Sequence, residues 1–128
     1  MPERAAPARQ GVPRGRAAAV RDDGPPYEAR AWLAGNANPY PFASNRFHSR
    51  EAAGAFFDTL YAFGAETVYV LNVEDEQEGP YADALLFRVP DDPAARGRLF
   101  EVDAREARHE GFDPDQDEGQ RYLYFWWD

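Results

Sequence analysis

Hydrophobic positions change their spacing several times along this chain, and each change marks an element. Ala53, Phe56, Phe57, Leu60 and Phe63 fall on one helical face. Ser49 stands where an N-cap belongs, Glu51 places a carboxylate in the first turn, and Gly64 offers a terminator. A first helix is therefore predicted over 49–63. Residues 67–73 are almost continuously apolar, the pattern of a strand covered on both faces. Residues 74–80 form a polar turn, and 82–89 are the returning strand of a hairpin that Pro90 ends. Asp92 with Pro93 at the next position caps a second helix, in which Leu99, Phe100 and Val102 supply the buried stripe. Gly97 weakens that helix by roughly 1 kcal/mol relative to alanine, and Gly111 ends it.

The flanks are less regular. Residues 27–34, with Trp32 and Leu33, read as a first strand, although Ala29 and Ala31 leave a helical turn open. A long loop follows over 35–48, where Pro39 and Pro41 forbid regular structure. An acidic loop runs from Phe112 to Gly119. After Arg121 come Tyr122, Leu123, Tyr124, Phe125, Trp126 and Trp127, five of the six aromatic, and the chain stops at Asp128. That run suits a last strand packed into the core. The order βαββαβ predicts a ferredoxin-like α+β sandwich, an antiparallel sheet with two helices on one face. In that arrangement the start of the last strand lies at one sheet end with Asn36, Asp83 and the 74–78 turn. Its finish, at residues 126–128, lies at the opposite end.

The chain has 128 residues and a formal charge of −9. Residues 1–24 carry five Arg against three acids, or +2, and almost no large apolar residue, so a disordered tail or an over-extended gene start is expected there. Residues 25–128, expected to form one domain, hold nine Arg against twenty acids, or −11. Such a surface disfavours nucleic acid and suits a basic protein partner. Cysteine is absent, which removes disulfides and thiolate metal sites. Lysine and isoleucine are absent too, pointing to a GC-rich bacterial genome. No apolar run approaches a membrane span and no secretory leader is legible, so a cytoplasmic location is expected.

Candidate chemistry is sparse. The carboxylates Glu74, Asp75, Glu76, Glu78, Asp83, Asp113, Asp115, Asp117 and Glu118 are expected to converge on one end of the sheet, joined by the loop bearing Asn36, Asn38, Tyr40 and Asn45. Asp113, Asp115 and Asp117 have the opening spacing of a calcium loop, but Glu118 occupies the glycine position and Tyr124 the bidentate position. No metal or cofactor is therefore expected. His48 and His109 have no recognisable catalytic companions, and neither a P-loop nor a dinucleotide fingerprint is present. Asp83 begins an apolar strand; it either hydrogen-bonds the 35–48 loop or faces a cleft. Alternation puts Leu123, Phe125 and Trp127 on one face of the last strand. Tyr122, Tyr124 and Trp126 fall on the other, either exposed as a partner or homodimer platform or lying under the N-terminal region.

Leu33-Ala34-Gly35-Asn36 with Asn45, then Gly79-Pro80-Tyr81-Ala82-Asp83, then Trp126-Trp127-Asp128, resembles a set of small uncharacterised bacterial proteins sharing those three motifs. The resemblance implies a common scaffold and imports no activity. The reading that results is a small acidic, non-enzymatic protein-interaction module, in one form an immunity or inhibitor protein against a basic enzyme. The alternative is a small-molecule sensor or regulatory domain whose ligand lies between the 35–48 loop and Asp83. A hydrolase with Asp83 as general base ranks last.

Overall fold

Capping decides how the first helix forms. The computed structural model describes residues 26–128, so the tail expected over 1–24 lies outside the described residues. Tyr27–Glu28 form β1, and Ala29–Ala34 then turn into helix α1 rather than continuing as a strand. The Glu28 carboxylate accepts the Ala31 N–H at 2.7 Å and so caps that helix. With Ala29, Ala31 and Ala34 favouring helix, this local bond outweighs the strand preference of Trp32.

The other elements follow the hydrophobic spacing. Helix α2 spans Arg50–Ala62, with the Ser49 hydroxyl accepting from Ala52 N–H. Strands β2 (Thr67–Leu71) and β5 (Ala84–Arg88) form the central pair. Between them the expected turn is itself a short hairpin of β3 (Glu74–Glu76) and β4 (Gly79–Tyr81). Helix α3 spans Pro93–Glu110, capped by Asp92. It closes with Gly111 at φ 81° and Phe112 N–H donating to Ala107 O, a Schellman ending. Strand β6, Tyr122–Trp126, completes the fold.

Among the described residues the result is a mixed α+β architecture with a four-stranded antiparallel sheet, ordered β1-β2-β5-β6, and three helices. In a ferredoxin-like order the first strand would lie inside the sheet. Here β1 has two residues and pairs with β2 alone, too short to carry a central ladder. Strand β6 consequently lies against β5 and antiparallel to it, with Arg88 opposite Tyr122 and Ala84 opposite Trp126. This reverses the expected direction of β6: it starts at the Arg88 end and finishes beside Asp83. Helix α3 carries the chain away from the end of β5, and the 112–120 loop brings it back.

Both long helices bury their apolar stripes in one cluster with the sheet. Phe57, Leu60, Leu99 and Val102 join Val68, Val70, Leu85, Phe87, Leu123 and Phe125. Trp127 sits in that cluster with ring centroids 4.7–5.6 Å from Phe42, Phe47, Phe56 and Phe125. Leu71, Ala84, Leu86 and Tyr124 form a second cluster, with Tyr69, Tyr122 and Trp126 packed on it.

Candidate functional site

Asparagine side chains fasten the 36–43 loop to the β3–β4 hairpin. Asn36 Nδ2 donates to Pro80 O at 2.9 Å, and Asn38 Nδ2 to Gly79 O and Pro80 O at 3.2 and 3.3 Å. Their oxygens accept within the loop, Asn36 Oδ1 from Asn38 N–H and Asn38 Oδ1 from Tyr40 N–H, each at 2.9 Å. From the first turn of α2, Arg50 donates to the carbonyls of Leu33, Asn36 and Asn38. Gly79, at φ +129°, permits this approach: a Cβ there would stand 3.0 Å from Asn38 N and 3.2 Å from Asn36 Oδ1. A parallel bridge continues the seam, with Ala43 N–H donating to Ala82 O and Ala82 N–H to Pro41 O. Asn36 is thus buried and has both ends of its amide engaged in this clamp.

Asp83 stands where the hairpin stem meets the end of β6. Its carbonyl accepts Trp127 N–H at 3.0 Å, and its carboxylate accepts a hydrogen bond from the Trp126 side chain. Burial pushes Asp83 from an ordinary 3.8 to about 6, and the negative charges of Glu74 and Asp128 push the same way. The bond expected from Asp83 to the Gly35-Asn36 loop is replaced by this link to Trp126, because the end of β6 occupies that place. Asp128 O accepts from Asn45 Nδ2 at 3.4 Å, and Asp128 N–H donates to Glu110 at 2.9 Å. Asn36, Asn45, Glu74, Asp75 and Asp83 therefore do share one end of the fold.

Asp115 and Asp117 do not join them. Their loop runs back along α3, with Asp115 N–H donating to Asp103 at 3.2 Å and Asp117 paired to Arg96 at 2.6 Å near the start of that helix. The reversed β6 is the cause, since this loop must deliver the chain to the Arg88 end. Tyr122, Tyr124 and Trp126 share the face away from the helices, but they are not an exposed platform. Tyr124 is 2% exposed; Tyr122 is half-buried, its hydroxyl accepting from Arg88 Nη1 at 3.2 Å, and Trp126 stacks on Phe112.

Among the described residues, the large hydrophobic side chains that stand exposed are Tyr27 and Tyr40. Tyr40, at 55%, is held between Pro39 and Pro41 and by its N–H bond to Asn38. It borders a polar cleft of about 410 Å³ lined by Asn38, Tyr40, Ser44, Glu76, Glu78 and Tyr81. Tyr81 hydroxyl accepts Ser44 N–H, which fixes the cleft's floor. All three residues of β3 and both residues of its turn are exposed. No cluster of three or more His, Asp or Glu residues that could hold a metal ion is present among the described residues.

Sequence reasoning overlooked a buried carboxylate, Glu106. It is 2% exposed and receives two bonds from Arg46, at 2.9 and 2.8 Å, and one from Trp127 Nε1 at 3.0 Å. Burial alone would raise its pKa; the bonds from Arg46 and Trp127 hold it below the usual range. The signal was available: Asp103 and Glu106 fall on the same helical stripe as Leu99 and Val102.

Comparison with known proteins finds no match to a family model, a curated protein or a solved structure.

Proposed function

We propose that this protein is a small acidic, non-enzymatic interaction module that binds a basic protein through the β3–β4 hairpin and the cleft beside Tyr40. The observation that carries this reading is the presentation of Tyr40. A large aromatic ring is 55% exposed on a loop pinned at both sides, opposite Glu76 and Glu78. An aromatic anchor whose backbone is already fixed loses little entropy on binding, and carboxylates beside it select a cationic partner. An immunity or inhibitor protein is one form of such a module. The resemblance noted above fits the same scaffold: its three motifs lie in contact, through Asn36–Pro80, Asp83–Trp127 and Asn45–Asp128.

The test is stoichiometric co-purification of a partner from the native host, repeated with two variant sets. Reversal of Glu76 and Glu78 to Arg, or Tyr40→Ala, abolishes capture, whereas reversal of Asp113 and Asp115 leaves it intact. Full capture by the Glu76, Glu78 and Tyr40 variants sinks the reading. The sensor reading has one observation in its favour, the cleft itself, and moves with it from Asp83 to Glu76 and Glu78. A thermal-shift screen with small organic cations distinguishes it, by stabilisation that Tyr40→Ala removes.

A further inference from the structure

Three polar groups meet at the hairpin stem without completing one another. The β2–β5 ladder ends with Leu71 opposite Ala84, so the next rung sets Asn72 against Asp83. Asn72 leaves the strand conformation there, at φ 56°. Its Oδ1 is buried and accepts no hydrogen bond, a costly state for an amide oxygen. Asp83, across the rung, already accepts from Trp126. As an ionised carboxylate it has no proton to give Asn72; as a neutral acid it has one.

We propose that Asp83 is a proton-operated latch across the stem of the β3–β4 hairpin, closing onto Asn72 when it carries a proton. With the proton on, one carboxyl oxygen accepts the Trp126 indole N–H and the hydroxyl donates to Asn72 Oδ1. With the proton off, the indole bond remains, Asn72 Oδ1 loses its donor, and a third negative charge faces Glu74 and Asp128. The charges acting on Asp83 are both acids: Glu74 from β3 and Asp128 from the chain end. One contact further, Glu110 of α3 holds the Asp128 N–H, while Asn45 and Trp126 are neutral. The latch therefore tightens as pH falls, and burial with like charge places its midpoint at about 6. Its consequence is local: the Asn72–Asp83 rung at the hairpin stem is closed below that pH and open above it, while the bonds from Trp126 and Trp127 persist. The inference does not depend on any partner of the hairpin.

The test follows the Trp126 indole and Asn72 side-chain amide resonances of the full chain by NMR between pH 4 and 8. Both move together with a midpoint near 6, and the Asp83 carboxyl carbon titrates with the same midpoint. In Asn72→Gly, which keeps the left-handed backbone, the midpoint falls by about half a pH unit, because the neutral form loses one bond. In Asp83→Asn the transition disappears. Indole and amide signals that stay fixed while the Asp83 carbon titrates overturn the latch, as does an Asn72→Gly midpoint equal to that of the wild type. If Asp83→Asn fails to fold, the wild-type carbon titration and Asn72→Gly still decide.

Discussion

Trp127 donates its indole N–H to Glu106 at 3.0 Å, and through that bond the closing segment is tied to the middle of α3. Glu106 is also held by both nitrogens of the Arg46 fork. Glu106→Ala leaves a buried indole N–H without its acceptor and a guanidinium without its counter-charge. The expected loss is about 3 kcal/mol, near the low end for breaking a buried pair because Arg46 keeps 31% of its side chain in solvent. Trp127→Ala removes the ring at the centre of four aromatic contacts and costs about 3–5 kcal/mol. Urea unfolding at pH 7 measures both. A Glu106→Ala protein within about 0.5 kcal/mol of the wild type, the scatter of ordinary surface changes, contradicts the assignment.

Glu106 and Asp83 give the stability profile opposite slopes. The Glu106 pKa is lowered on folding, so its contribution is present above the ordinary glutamate value and is lost as pH falls through the folded one. The Asp83 pKa is raised from 3.8 to about 6, so its contribution is complete below the unfolded value and is lost as pH rises through about 6. A shift of that size corresponds to at most about 3 kcal/mol, and partial solvent contact reduces it to about 1–2. Asp83→Asn is therefore expected to be more stable than the wild type at pH 7.5 and nearly equal to it at pH 4.5. Thermal unfolding across that range checks the sign. A variant less stable than the wild type at pH 7.5 contradicts it.

Much of the fold was legible because local rules and packing agree there. Ser49, Asp92, Gly64 and Gly111 mark helix ends, and the alternation in residues 122–127 matches the two clusters across the sheet. The first strand was misread because a six-residue stretch containing Trp32 satisfies strand and helix alike, and the deciding bond comes from Glu28, outside its apolar pattern. That error propagated to the site. Placing the first strand inside the sheet turned β6 end for end and carried Asp115 and Asp117 to the wrong place. Asn36 was found but its role was not: that its amide clamps Pro80, 44 residues on, is a long-range fact no local pattern encodes.

Two glycines respond to alanine in opposite directions. Gly97 lies inside α3 with nothing within 4 Å of where a Cβ would stand. Gly97→Ala is expected to stabilise by about 0.5–1 kcal/mol, through the lower entropy of the unfolded chain. Gly79 has φ +129° and backbone and side-chain atoms of Asn38 and Asn36 at 3.0–3.2 Å from the added carbon. Gly79→Ala is expected to destabilise by about 1–3 kcal/mol, from left-handed strain and displacement of the clamp. Paired denaturation curves test both, and equal signs for the two substitutions contradict the description.

Among the described residues, Arg50 is the cation that satisfies the loop's inner carbonyls, those of Leu33, Asn36 and Asn38. It joins the end of α1, the loop and the start of α2, so its removal should act locally before it acts globally. Arg50→Gln keeps part of the stem packing and loses the fork that reaches three acceptors. The expected loss is about 1–2 kcal/mol of global stability, smaller than for Glu106→Ala because the groups freed are neutral carbonyls rather than a charge and its buried indole partner. Amide hydrogen exchange reads the local effect. Asn38 and Tyr40 N–H groups, which donate to asparagine side chains in this loop, should exchange at least about tenfold faster in Arg50→Gln, while Leu85 and Phe87 in the sheet follow only the global change. Uniform acceleration at all four positions would mean that the loop has no stability of its own and unfolds only with the sheet.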